Sequence, residues 1–325
     1  DGHERFLGSF IHQSGETELV CPALSREQAI RSGIAKVHAW RDGEDPIALV
    51  RNVLEGWHAT GGQIAVDDAM PSHLLLTLQH HFPDAKFVAG GHLLAQLMAR
   101  KDATELKDMQ AAATIADESF EEVAALLTPG LTEIQIASML TKAMERRGGK
   151  PAFCSVAHAE FAAEPHHMNS DSPIEANDVV VMDFGCTVNG YFSDITRCVC
   201  VGQPTEEQVK VYDIVSRAHH AARAAAVPGA TGADIDRAAR DVIEAEGYGE
   251  FFTHRTGHGI GMHIHEGPYI VGSNNVPLEQ GNCFSIEPGI YLPGRFGIRI
   301  ENICYMGPNG AVSFNAEPDR QLRTV

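Results

Sequence analysis

Hydrophobic and polar positions alternate in two different rhythms along the first hundred residues. Short apolar runs at 17–21, 63–66 and 85–88 predict strands, and helical spacing fills 25–32, 45–56 and 71–81. The last of these opens with Pro71 in a first-turn position and sets Leu74, Leu75 and Leu78 on one side. This alternation predicts a small α/β domain over residues 1–102. A polar passage at 99–104 then leads into a long amphipathic segment, 105–127, and a second domain is expected over 103–325.

The second domain repeats itself. Pro129-Gly130-Leu131-Thr132 precedes a helical pattern through Ile134, Ile136 and Leu140 that ends at Gly148-Gly149 and is followed by Phe153. Pro228-Gly229-Ala230-Thr231 starts the same plan 99 residues later, running through Ile235, Ala239 and Val242 to Gly247 and Phe251-Phe252. Each copy follows a long helical segment, 105–127 and 205–226. Thr132 and Thr231 are expected N-caps, and Thr205 with Gln208 fits a capping box. Two helix-helix-sheet halves facing each other across a cleft are the architecture this implies.

The strands of the first half are the clearest in the chain. Val179-Val180-Val181-Met182-Asp183-Phe184-Gly185 is apolar and β-branched, Asn189-Gly190 marks a turn, and 191–201 returns with alternating pattern. The hairpin places Asp183 and Asp194 nearly opposite one another. A carboxylate in so apolar a run needs a partner, and two side by side require a proton or a cation between them.

Composition narrows the function classes. The 325 residues are 44% hydrophobic, enough for one large core or two ordinary ones, and 43 acids against 25 Lys plus Arg give a formal charge of −18, which disfavours nucleic acid and anionic lipid as partners. No apolar run approaches the roughly 20 residues that cross a bilayer. Seven cysteines, an odd number without paired spacing, suit reduced thiols, and a cytoplasmic location is expected.

Further along, Gly257-His258-Gly259-Ile260-Gly261-Met262-His263-Ile264-His265-Glu266 surrounds histidines with glycines, Ser285-Ile286-Glu287-Pro288-Gly289 ends a strand on a carboxylate, and Gly297-Ile298-Arg299-Ile300-Glu301-Asn302 places another in a strand. Asp183, Asp194, His258, Glu287 and Glu301 make an oxygen-rich inventory suited to divalent ions such as Mn²⁺, and a second ion is needed to offset four negative charges. Two metals about 3.5 Å apart would activate a water and polarise a carbonyl. Hydrolysis is the expected chemistry.

These residues resemble the pita-bread metallopeptidases, the group of methionine aminopeptidase, aminopeptidase P, prolidase (Xaa-Pro dipeptidase) and the metal-free relative creatinase. The resemblance covers nearly the whole chain, with the Asp pair 11 apart and the Glu pair 14 apart. It implies an α/β (α+β) fold with a small creatinase-like N-terminal α/β domain and a pita-bread domain built on a pseudo-two-fold repeat. It implies two divalent ions, Mn²⁺ foremost with Co²⁺ or Zn²⁺ as alternatives. Asp183 would bind one ion, Asp194 and Glu301 would bridge, and His258 and Glu287 would bind the other. Glu287 would also shuttle a proton. His166 and His265 map onto substrate-site histidines, whereas His167 and His263 are read as bystanders; Arg299, outside the mapped positions, is expected to support the ligands by hydrogen bonding or to contact substrate. The implied activity is cleavage between an N-terminal residue and proline in small peptides, with the Xaa-Pro dipeptidase favoured over aminopeptidase P. A creatinase-like metal-free hydrolase and a non-catalytic binding protein stand further off. A homodimer is expected by resemblance alone. Two departures stand out. Asn302 replaces a common Asp, and Tyr269 stands where some prolidases carry an Arg that binds the dipeptide carboxylate, so that a cation from elsewhere, Arg295 or Arg299 among others, has to replace it.

Overall fold

A computed structural model describes residues 4–325. The chain forms two compact units, Asp1–Leu94 and Ala95–Val325. In the first unit, β1 (Gly8–Ile11) pairs antiparallel with β2 (Thr17–Pro22), which pairs parallel with β3 (Lys36–Trp40). Between β2 and β3 runs α1 (Arg26–Arg31), and α2 (Pro46–Gly56) follows. α2 starts where the sequence places it, with Pro46 in the first turn and the Asp45 carboxylate accepting from the Ile47 N–H at 2.9 Å. β4 (Gln63–Val66), α3 (Ser72–His81) and β5 (Lys86–Ala89) form a parallel βαβ unit. Pro71 sits just before the first turn of α3, as its N-cap. Val20, Trp40, Val50, Val53, Leu78 and Phe82 fill the core of this unit. β1, β3 and the short α4 (Gly91–Met98) went unread in the sequence; β1 shows why, since its four residues alternate only between half-buried and exposed.

The second unit opens with α5 (Ala103–Ala124) and α6 (Glu133–Arg146), capped by the Asp102/Glu105 and Thr132/Gln135 boxes. β6 (Lys150–His158), β7 (Val179–Val188), β8 (Tyr191–Phe192) and β9 (Ile195–Cys200) complete the first half. The second half repeats the plan with α7 (Glu206–Ala225) and α8 (Gly232–Ala245), whose caps are Thr205/Gln208 and Thr231/Asp234. Its strands are β10 (Gly257–Gly259), β11 (Glu266–Ile270), β12 (Cys283–Ile286), β13 (Gly289–Leu292), β14 (Phe296–Arg299), β15 (Asn302–Gly307) and β16 (Gly310–Ser313), with β17 (Arg323–Thr324) closing the chain. The two halves match down to a detail: each N-cap threonine forms an isolated antiparallel bridge to a later proline, Thr132 with Pro173 and Thr231 with Pro277.

One sheet runs β17-β9-β7-β6 with β8 paired to β7, and the other runs β11-β10-β12-β15-β16. Period-two geometry sorts the β7 residues: Val180, Met182 and Phe184 pack under α5 and α6, while Val179 and Val181 face the core shared with α7, α8 and β12. Both faces are buried, hence the continuous apolar run. Asp183 therefore projects into the interior between the sheets. Thr196 of β9 bridges to Glu301, so the halves are stitched together where the carboxylates lie.

Candidate active site

The hairpin differs from the reading of its sequence in one respect. Asp183 is paired with Thr196, not with Asp194. The returning strand breaks at Ser193 and Asp194, because the Ser193 N–H bonds the Cys186 carbonyl while its Oγ accepts from the Cys186 N–H. Asp194 thus lies two residues before Thr196, on the same face as Asp183 and diagonal to it. It is buried, and the nearby Arg197 points away to the carbonyls of Thr196, Glu301 and Ala316.

Asp194, His258 and Glu301 converge so closely that one donor atom of each lies within 4.8 Å of the others, a group able to hold a metal ion. His258 comes from β10. Its neighbours there are glycines of necessity: a Cβ on Gly257 would collide with the Ser285 carbonyl oxygen, and one on Gly259 with the Gly267 carbonyl. His258 Nδ1–H donates to the Gly259 carbonyl at 3.0 Å, which leaves the Nε2 lone pair facing Glu287 Oε1 at 3.4 Å and Asp194 Oδ2 at 3.6 Å. Burial lowers the His258 pKa to about 3, so the ring is neutral and available as a ligand. Glu287, at the end of β12, takes a 3.1 Å hydrogen bond from Ser285 Oγ, and Glu301 takes one of 2.6 Å from Thr196 Oγ1.

Two buried oxygens in this cluster, Asp194 Oδ1 and Glu301 Oε1, have no hydrogen-bond partner among the described residues. Burial, reinforced by the charges of Glu301, Asp183 and Glu287, raises Asp194 well above the ordinary carboxylate range. Glu301 is raised in the same way, and Glu287 is pushed up to about 7 by burial. Crowded carboxylates with orphaned oxygens and a neutral imidazole among them carry more negative charge than the neighbouring Arg299 offsets, which is the electrostatic profile of a cation site.

Asp183 is held differently. Its Oδ2 accepts from Arg299 Nη2 at 2.6 Å, while Arg299 Nε donates to Thr196 Oγ1 at 3.1 Å and Nη1 to Tyr291 Oη at 3.0 Å. Tyr291 in turn hydrogen-bonds His254 Nε2 at 2.8 Å, and His254 Nδ1–H donates to the Arg255 carbonyl. Arg299 is buried, with every guanidinium nitrogen engaged inside the protein.

His265 packs its ring 4.1 Å, centre to centre, from that of His258. Glu266 beside it forms a buried ion pair with Lys101. His166 is exposed on the segment after β6. That segment is pinned by the buried Glu133, whose Oε2 accepts from His167 Nε2, Ser170 N and Ser170 Oγ at 2.7–2.8 Å. His263 is exposed and makes a backbone contact to Glu266. All seven cysteines are free thiols.

Sequence reasoning missed Thr196, Ser285, Tyr291, His254 and Arg255. Only Arg255 and His254 carried a signal, lying just before the Gly257-His258-Gly259 run; Ser285 and Tyr291 act through side-chain contacts that a sequence pattern does not specify, and Thr196 through one with Glu301 more than a hundred residues on.

A paired-sheet scaffold with a buried carboxylate and imidazole cluster at its internal dyad is that of a metal-dependent hydrolase. The profile of metallopeptidase family M24 matches residues 107–308, and the chain belongs to this family, the pita-bread peptidases. It is 38% identical to a probable dipeptidase PepE of Mycobacterium tuberculosis, over 97% of this chain and 84% of that one. It is 35% identical to an Xaa-Pro dipeptidase of Lactobacillus helveticus, over 100% of this chain and 90% of that one. The solved structure of a prolidase from Thermococcus sibiricus superposes with a TM-score of 0.95 at 32% identity, covering 100% of this chain and 89% of its own.

Proposed function

We propose that this protein hydrolyses the bond between an N-terminal residue and proline, with Xaa-Pro dipeptides as its preferred substrates. The similarity to an Xaa-Pro dipeptidase and a prolidase over nearly the whole chain supports the substrate class. The observation that carries the chemistry is the pair of orphaned oxygens, Asp194 Oδ1 and Glu301 Oε1, buried beside a neutral His258. They fit divalent cations, and Asp183, Asp194, His258, Glu287 and Glu301 are the residues that would hold them.

Two bound ions, Mn²⁺ foremost, with Co²⁺ and Zn²⁺ as alternatives, would supply an activated water and a polarised carbonyl. The chain's own groups do the rest. Glu287 is placed to accept a proton from the attacking water and pass it to the leaving proline nitrogen. His265 and His166 line the substrate side, where an imidazole N–H stabilises negative charge developing on the carbonyl oxygen. Arg299 holds Asp183 in place. A cytoplasmic enzyme is supported by the seven free thiols. A homodimer is the assembly we propose from the family resemblance, and light scattering of the purified protein tests it.

The test of the reading is reconstitution. Protein stripped with chelator should lose Xaa-Pro hydrolysis and regain it on addition of Mn²⁺, Co²⁺ or Zn²⁺, with about two ions bound per chain. Full activity after exhaustive chelation would refute it.

A further inference from the structure

An Xaa-Pro dipeptide ends in a carboxylate one residue beyond the scissile bond, and a site that prefers dipeptides must offer it a cation. Tyr269 stands where the resemblance would put one. Of the arginines that act on the site groups, Arg299 is fully engaged with Asp183, Tyr291 and Thr196. Arg295 is paired with Glu207 at the surface. Arg255 is different. It is half-buried, three residues before His258, and its guanidinium makes no hydrogen bond or ion pair among the described residues. It sits over the Tyr269 ring instead, its guanidinium carbon 4.6 Å from the ring centre.

An arginine stacked on an aromatic face keeps its edge of N–H donors free, and that fork matches a carboxylate in two parallel hydrogen bonds. Tyr269 belongs to β11, which pairs with the β10 strand carrying His258, and His265 immediately precedes β11. Ring, cation and both histidines therefore share one rim.

We propose that Arg255, seated on Tyr269, binds the free carboxylate of the dipeptide and so sets the preference for dipeptides over extended or amidated peptides. The assignment rests on the Xaa-Pro dipeptidase reading. It makes position 269 a platform for the cation in place of the cation itself.

The experiment compares kcat/KM of the metal-loaded full chain on an Xaa-Pro dipeptide and on its C-terminal amide, for wild type, Arg255→Met and Arg255→Lys, with circular dichroism to confirm folding. Wild type should favour the free acid. In Arg255→Met the acid-to-amide ratio should fall roughly 10- to 100-fold, mainly through KM, the effect of losing one charge-assisted contact. Arg255→Lys, which keeps the charge but loses the fork, should fall in between. An unchanged ratio, or equal losses on both substrates, overturns the assignment while leaving the peptidase reading in place. A wild type that cleaves neither substrate overturns both.

Discussion

Arg299 and Asp183 are joined by a 2.6 Å hydrogen-bonded ion pair between β14 of the second half and β7 of the first. The same guanidinium reaches Thr196, which holds Glu301, and Tyr291. One side chain thus orients two of the proposed ligands from opposite halves of the repeat. Replacing it by Met leaves the half-buried Asp183 without its cation, and we expect a loss of about 2–3 kcal/mol in unfolding free energy, the scale of a charge-assisted hydrogen bond. Arg299→Lys should recover less than half of this, because a point charge cannot serve three acceptors. Denaturant titration of both variants measures it, and wild-type stability in Arg299→Met would contradict the role.

The crowding of Asp194 and Glu301 has an opposite signature. Without metal, Asp194→Asn removes one of several repelling buried carboxylates, so the stripped variant should melt at or above the wild-type temperature. With metal the order reverses. Wild type at 100 times the dissociation constant gains about 2.7 kcal/mol, and the variant should gain almost none. Thermal melts with and without Mn²⁺ decide the matter: a variant that keeps the full metal-induced shift would exclude Asp194 as a ligand.

Much of this site was legible in the sequence because metal chemistry demands particular residue types. Asp183 and Asp194 stand out as charges beside an apolar strand, and His258 stands out among glycines that only close backbone approach explains. The repeat was legible through Thr132 and Thr231, since capping is a local property. What lay hidden is tertiary. The break at Ser193 that moves Asp194 off Asp183's partner position arises from a cross-strand hydrogen bond to Cys186. The roles of Tyr291 and Arg255 depend on side-chain contacts, with Arg299 across a hairpin and with the Tyr269 ring, that no sequence pattern specifies.

Acid should destabilise the fold through histidines buried in neutral form. Burial holds His219 well below its usual value, with neither ring nitrogen hydrogen-bonded among the described residues, and lowers His254 to about 4. The unfolded chain takes up these protons near pH 6.5 and the native state does not, so stability is complete above that pH and falls as pH drops toward the folded values. Each group contributes a slope of about 1.4 kcal/mol per pH unit. His219→Leu should remove one such slope, leaving the variant about 2 kcal/mol more stable at pH 5, relative to its offset at pH 8, than wild type. Parallel pH profiles for the two proteins would show that His219 does not titrate on unfolding.

Glu133 links a buried carboxylate to the segment that carries His166. Glu133→Gln keeps the shape but replaces a charged acceptor shared by His167 and Ser170, and should cost about 1–3 kcal/mol. If the segment positions His166, kcat/KM should fall further than the small fraction unfolded can explain. Loss of stability with unchanged kcat/KM would limit Glu133 to a structural role.

The most direct test of the whole account is a paired kinetic measurement on the metal-loaded protein: hydrolysis of an Xaa-Pro dipeptide beside the same sequence extended by one residue past proline. The account predicts cleavage of the dipeptide, abolished by chelator, with the extended peptide a poorer substrate. Preferential cleavage of the extended peptide would make the protein an aminopeptidase, and turnover of the dipeptide indifferent to chelator would contradict the metal centre itself.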